Sequence, residues 1–488
     1  MIKFARRHLV AIFCLFAILC ADLLASPISD LTPEQVASID RYVKAEMERE
    51  RIPGLALGIY SRGKILLAKG YGLANVELNV AVKPETVFQS GSVGKQFVSA
   101  AIMMLVEEGK IGLDDSIAKY LPNAPKSWEP IRVKNLLSHT SGLAEYESDE
   151  RIGPKGPFYL RLDFTEDEMV QKVEALPIEF KPGDKWDYRN TNYLLLGVII
   201  HKVTGTFYAD YLQERIFKPL GMSSTRLISE ADIIPNRSSG YELHDGKIRN
   251  QSWVSPTFNS TADGALYYNV LDLAKWDEAL YGTKLLKQTS LDKVWTVFLL
   301  NDGKPNSANY GFGWEIGSVN GHKQIEHGGA WQGFTCNISR YVDDGITVAV
   351  LTNLDAAEPE QITHVVAGLV NSALEPPKLT AIEDKQPQFA ARLSALLDQI
   401  AAGKDVRDQL APDLAALLTP QMAPEIVRLV QTIWPADSVT LVSRKESGGI
   451  VESRYRIRKK VETRIVSFAL APDGKVASLG FGHDPDVR

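Results

Sequence analysis

Ser92-Val93-Gly94-Lys95 is a serine followed at the third position by a lysine. On a helix two such side chains stand one turn apart on the same face, so the amine can reach the hydroxyl. A lysine held there out of water loses proton affinity and can act as a base or polarise the serine. That is the chemistry of an activated nucleophile. The spacing alone says little, because Ser61, Ser116 and Ser290 also have lysine three positions on. Context separates them. Ser61 falls in a hairpin turn, where its lysine would point into solvent, and Ser116 and Ser290 fall on charged, amphipathic surface helices. Only Ser92 opens a largely apolar helix directly after a strand and a glycine. A serine there has free backbone N–H groups and the positive helix end beside it. The plain alternative is an N-cap serine with a solvated lysine.

Two further sets carry chemistry. Tyr188-Arg189-Asn190 follows the turn Lys181-Pro182-Gly183 and precedes an apolar run. A phenol near cations can shuttle a proton, since positive neighbours favour the phenolate. The neighbouring amide can hold a substrate carbonyl or the lysine. Tyr267-Tyr268-Asn269 fits the same string. In His327-Gly328-Gly329-Ala330 the two glycines let a ligand approach the backbone closely. A strand edge there can offer an N–H as half of an oxyanion hole. His244-Asp245-Gly246 matches too, but it reads as a polar hairpin tip. Singly, each set is ordinary loop chemistry. Their order along the chain makes them a constellation.

The elements that must position these residues are legible in the patterning. Thr32-Pro33-Glu34-Gln35 starts a helix that runs towards Glu50, with Thr at the N-cap and Pro at N1. Leu55–Tyr60 and Lys64–Tyr71 form a hairpin about Ser61-Arg62-Gly63, and Val87-Phe88 is a short strand. Phe97, Val98, Ala101, Met104 and Leu105 make one buried helical stripe, and Tyr193–Val203 is a second apolar helix stopped by Gly205. Gly311–Ile316, Gly333–Tyr341 and Ile346–Asn353 read as strands, and a helix over Ala356–Ser372 closes the region. After the linker Glu375-Pro376-Pro377-Lys378, residues 380–488 form a separate small α+β domain. It has a helical stripe of Phe389, Leu393, Leu396, Leu397 and Ile400, then strands from Val439 onward. A cystatin- or NTF2-like module has this helix-then-strands order.

The 488 residues are 45% hydrophobic and 23% charged, with a net charge of −6. This is a globular mixture, which excludes disordered and multi-spanning chains, and the acidic balance excludes a general nucleic-acid binder. Residues 1–25 read as a cleaved signal peptide: Lys3, Arg6 and Arg7, then the apolar run Leu9–Ala21, then small residues at Ala25-Ser26. The expected location is secreted or periplasmic, with association with the cell envelope. Cys336 is the one cysteine beyond that segment, so no intrachain disulfide is expected. No metal-ligand spacing stands out, and no cofactor or metal is expected. Arg454, Arg456 and Arg458 alternate along one strand, either as a solvated face or as a patch for an anionic polymer.

With these sets in order the chain resembles the serine β-lactamase-related superfamily: class C β-lactamases, DD-peptidases, D-aminopeptidases and β-lactamase-like carboxylesterases. Supporting stretches are Gln89–Phe97, Leu136–Leu143 (Leu-Leu-Ser-His-Thr-Ser-Gly-Leu), Pro219–Met222 and Gly311–Trp314, and the likeness covers residues 30–375. It implies an α+β, β-lactamase/transpeptidase-like fold: an antiparallel sheet flanked by helices plus an all-helical subdomain holding Tyr188. It also implies roles. Ser92 would be the acylated nucleophile. Lys95 and Tyr188 would share its deprotonation, with the general base left open between them. Asn190 would orient the substrate, His327 would stand where β-lactamases place a lysine, and the N–H groups of Ser92 and Ala330, beside Gly329, would form the oxyanion hole. His139 reads as scaffold. His327-Gly328-Gly329 departs from the Lys-Thr-Gly of β-lactamases. It gives up a fixed cation for a substrate carboxylate, which favours peptidase or esterase chemistry. Arg189 replaces the commoner serine and either adds a cation beside Tyr188 or points outward. The expected substrate is a small ester or a D-amino-acid amide or peptide. β-Lactam hydrolysis is the second reading, and a non-catalytic binding protein retaining the fold is a third.

Overall fold

The computed structural model describes residues 28–484 except 122, 245, 419–421, 448 and 461. The expected signal segment, with Cys14 and Cys20, lies outside the described residues. The chain divides between Glu375 and Pro376 into two compact units.

In chain order the strands of the first unit are β1 (Gly54–Ser61), β2 (Lys64–Asn75), β3 (Val80–Ala81), β4 (Phe88–Gln89), β5 (Arg226–Leu227), β6 (Tyr241–His244), β7 (Lys247–Asn250), β8 (Leu266–Tyr268), β9 (Glu315–Val319), β10 (His322–Trp331), β11 (Phe334–Tyr341) and β12 (Ile346–Thr352). Seven of them make one antiparallel sheet in the order β3-β2-β1-β12-β11-β10-β9. The main helices are α1 (Pro33–Glu50), α2 (Lys95–Glu107), α3 (Val133–Leu137), α4 (Asn190–Thr204), α5 (Val270–Ala279) and α6 (Pro359–Val370). α1 opens on the capping box that its sequence announces, with the Thr32 hydroxyl accepting from the Gln35 N–H.

Strand side chains alternate between faces, which divides the core into two layers. Leu55, Leu57 and Ile59 of β1 and Val348 and Val350 of β12 pack with Ile39 and Val43 of α1 and Val365 and Val366 of α6. The intervening Ala56, Tyr60, Ala349 and Leu351 pack on the other face, in the cluster that holds Phe97 of α2 and Trp276 of α5. β1 is buried on both faces, which is why its sequence is apolar throughout. A small sheet in the order β4-β8-β5 lies beside the main one, and β4 runs directly into Ser90-Gly91-Ser92.

Some sequence expectations shift. The strand expected over Gly311–Ile316 begins only at Glu315. Gly313 has φ +79° and the Gly311 N–H bonds the Trp314 carbonyl, so residues 311–314 turn instead of extending. His327–Ala330 lies inside β10, a strand absent from the sequence expectations.

The second unit has α7 (Gln388–Ala401), α8 (Met422–Ile433) and a four-stranded antiparallel sheet of β13 (Ser438–Ser447), β14 (Ile450–Lys459), β15 (Glu462–Leu470) and β16 (Val476–His483). Leu393, Leu396, Leu397 and Ile400 of α7 pack with Tyr455, Ile457, Val466 and Phe468. With Ser453, Tyr455 and Ile457 turned inward, Arg454, Arg456 and Arg458 share the outer face of β14. Arg456 pairs with the buried Asp484, and Arg454 lies 3.9 Å from Glu452. Among the described residues no helix is long and apolar enough to cross a membrane.

Candidate active site

Ser92 sits in a tight turn, Gly91–Gly94, between β4 and α2. Lys95, fully buried, is the first residue of α2. Its Nζ donates to Ser92 Oγ at 2.9 Å, to Asn190 Oδ1 at 2.8 Å and to the Asp263 carbonyl at 2.5 Å. The Tyr188 ring centroid lies 4.9 Å from the same Nζ. Serine, lysine, tyrosine and asparagine therefore meet, although nearly a hundred residues separate the first pair from the second.

Each partner is held for a local reason. Asn190 opens α4, and its backbone N–H donates to Glu145 Oε2 at 2.5 Å. Its Nδ2 donates to Glu147 Oε2 at 2.6 Å, which fixes the amide with its oxygen towards Lys95. The stretch 139–147 is stitched along the start of α4: Thr191 Oγ1 donates to the Ala144 carbonyl, and Ser141 Oγ to Asn192 Oδ1. Arg189 turns outward. Its guanidinium pairs with Glu179 and Asp187 and adds no cation beside the Tyr188 ring.

β10 supplies the other wall. β9 stops pairing with it at Glu326, so the outer edge of β10 is free from His327 onward. The Gly91–Gly94 turn packs there. A Cβ at Gly329 would lie 2.2 Å from the Ser90 carbonyl oxygen and 2.9 Å from the Ser92 nitrogen. One at Gly91, whose φ is +46°, would lie 2.4 Å from the Ala330 nitrogen. Glycine at both positions is what lets Ser92 and Ala330 border one small cleft, lined also by Glu147, Asn190, Asp263 and Trp331. Buried Cys336 reinforces the contact by donating from Sγ to the Ser90 carbonyl at 3.0 Å.

His327 is buried on this wall. The Tyr310 hydroxyl donates to its Nε2 at 2.8 Å, and its Nδ1 donates to the Gly328 carbonyl at 2.6 Å. Burial, aided by the Lys95 charge, pulls its pKa down to about 4, so the imidazole is neutral at pH 7. Burial likewise pulls Lys95 down to about 8, against the opposing pull of Asp263, Glu147 and Glu145. Burial pushes the Tyr188 phenol well above its ordinary range, although Ser92 lies close enough to favour the ionised form. The Tyr188 hydroxyl completes no well-angled hydrogen bond among the described residues.

The look-alike motifs fall elsewhere. Tyr267 and Tyr268 are buried strand residues, and Asn269 caps α5 by accepting the Asp272 N–H. His244 bonds Glu242 on the β6–β7 hairpin. Ser116 caps a short turn, and Ser61 is buried at the end of β1.

Sequence reasoning passed over the carboxylates. Glu145, Glu147 and Asp263 gather beside Lys95, and the Tyr146 hydroxyl lies between two of them, 2.5 Å from Asp263 Oδ2 and 2.9 Å from Glu147 Oε1. Burial pushes Glu145 up to about 7 and Glu147 well above the usual carboxylate range. The one signal available was Glu145-Tyr146-Glu147 a few residues past His139. Also unread was Glu360-x-x-x-His364, one face of α6. His364 Nε2 stands 2.7 Å from Glu326 Oε2 as an ion pair on the opposite face of β10 from His327, and candidate ligand atoms of Glu326, Glu360 and His364 lie within 4.8 Å of one another.

Comparison with known proteins places this geometry. Residues 39–370 match the family model described as Beta-lactamase. The chain belongs to the beta-lactamase family. Within the family it is similar to penicillin-binding protein 4* of Bacillus subtilis, at 30% identity over 60% of this chain and 66% of that one, so it spans about two thirds of that relative. Among solved structures it resembles the octameric penicillin-binding protein homologue from Pyrococcus abyssi (25% identity, TM-score 0.63, 90% of this chain and 94% of that one). It also resembles a D-stereospecific amidohydrolase from Streptomyces sp. (26% identity, TM-score 0.58, 69% of this chain and 98% of that one). The family is one of serine hydrolases, and its β-lactamase/transpeptidase-like fold is the one described above.

Proposed function

We propose that this protein is an exported serine hydrolase that works through an acyl-enzyme on Ser92 and acts on small esters or on amides and peptides of D-amino acids. The observation that carries the reading is the 2.9 Å contact from Lys95 Nζ to Ser92 Oγ in a cleft bordered by Ser92 and Ala330. Lys95, lowered to about 8, is far easier to deprotonate than Tyr188, whose phenol is pushed upward. Lys95 is therefore the general base that takes the Ser92 proton as Oγ attacks the carbonyl. Tyr188, which keeps its proton during the attack, gives it to the leaving group and regains one from the Lys95 ammonium, so the Ser92 proton ends on the leaving group. The oxyanion of the tetrahedral intermediate is met by the backbone N–H groups of Ser92 and Ala330. Asn190 holds Lys95 in line.

The substrate class follows from His327. A carboxylate-bearing β-lactam gains most from a fixed cation on this strand, and a neutral imidazole already engaged by Tyr310 and Gly328 supplies none. This favours uncharged esters and amides. The amidohydrolase likeness supports the D-amino-acid arm.

The test is turnover of p-nitrophenyl butyrate, a D-amino-acid p-nitroanilide and nitrocefin by wild type and Ser92→Ala. The first or second should be hydrolysed faster than nitrocefin, and Ser92→Ala should lose several powers of ten in kcat (roughly 10⁴-fold or more). Nitrocefin as the best substrate overturns the substrate class, and an undiminished Ser92→Ala overturns the nucleophile.

A further inference from the structure

His139 lies beneath the Tyr188 ring and touches its backbone on both sides. The imidazole is completely buried and its φ is +56°, a left-handed value. Its carbonyl accepts the Asp187 N–H at 3.0 Å, and its Nδ1 accepts the Arg189 N–H at 3.2 Å. The two residues flanking Tyr188 are thus both tied to one histidine. The ring centroids of His139 and Tyr188 are 4.2 Å apart, with Tyr193 and Tyr310 at 5.2 Å and 4.9 Å completing the wall. Asn192 Nδ2 lies 3.1 Å from the same Nδ1. A backbone N–H can only donate, so Nδ1 carries no proton and the imidazole is neutral, with its hydrogen on Nε2. Burial, which opposes the cation, acts in the same direction.

We propose that His139 is a positioning residue for Tyr188: as a neutral imidazole whose Nδ1 accepts the Arg189 N–H, it fixes the phenol against Ser92 and Lys95. This rests on the proposed hydrolase reading and deepens it. An interaction that only aligns a proton-transfer group acts on the chemical step and leaves ground-state binding nearly untouched.

The test compares His139→Ala, His139→Asn and His139→Gln. Asparagine tolerates the left-handed backbone and puts its Oδ1 near the place of Nδ1, whereas glutamine carries its oxygen one carbon further out. With the best substrate of the panel, His139→Ala and His139→Gln should lose kcat by about 10²-fold with KM within about threefold. His139→Asn should recover most of the loss. Thermal unfolding of each variant shows that the fold persists. Should His139→Ala fail to fold, the Asn–Gln pair decides alone. The proposal is overturned if Gln serves as well as Asn, if Ala keeps wild-type kcat, or if the loss lies in KM. Failure of the underlying reading looks different: wild type itself then turns over no substrate and Ser92→Ala changes nothing.

Discussion

Lys95 is surrounded by an oxygen-rich shell yet cut off from water, and the two effects oppose each other. Burial wins and brings the amine to about 8. The neutral amine is the base, so kcat/KM should rise with pH through about 8 and level off above it, falling about tenfold per unit on the acid side. A profile already level at pH 7, with no rise towards 8, would contradict Lys95 as the base. The same depression bears on folding. Between about 8 and the ordinary 10.5 the unfolded chain binds a proton that the native one does not, so this lysine's penalty fades as pH climbs through that window. At residue scale the sequence showed Ser92, Lys95 and Tyr188 because their types and order are informative. Glu147 and Asp263 stayed hidden because a lone carboxylate in a loop has no distinguishing pattern. They matter only because the fold buries them against one amine.

At the scale of elements the site depends on how closely the Gly91–Gly94 turn approaches β10. Gly329→Ala would drive a Cβ into the Ser90 carbonyl at 2.2 Å and pry the two N–H groups apart. It should cost kcat about 10²–10³-fold, the scale of a lost oxyanion donor. Gly328→Ala, whose Cβ would meet nothing nearer than 3.7 Å, should stay close to wild type. Equal effects of the two substitutions on kcat contradict this account of the wall. The helix caps and hairpins were readable because period and turn chemistry are local, as at Thr32–Gln35 and Arg62-Gly63. The turn at 311–314 was not. Tyr310, Phe312 and Trp314 supply strand-forming side chains, and only tertiary packing turns that stretch away from strand geometry.

For the whole molecule the division at Glu375 has a consequence. Each unit has a core drawn from its own residues. We propose that residues 28–375 carry the hydrolase site by themselves, so this fragment should fold cooperatively and react at Ser92 at a rate close to that of the full chain. An insoluble or unreactive fragment would show that the second unit completes the first. The chain's order of motifs made the overall architecture readable at long range. Nothing in residues 380–488 offered such a motif, and their packed helices and four strands leave their role unread. The central claim is chemical and can be read by mass. A fluorophosphonate added to the folded wild-type protein should give one covalent adduct, located by peptide mapping on Ser92 and missing from Ser92→Ala. An unmodified wild-type protein, or an adduct that persists in Ser92→Ala, would contradict the account.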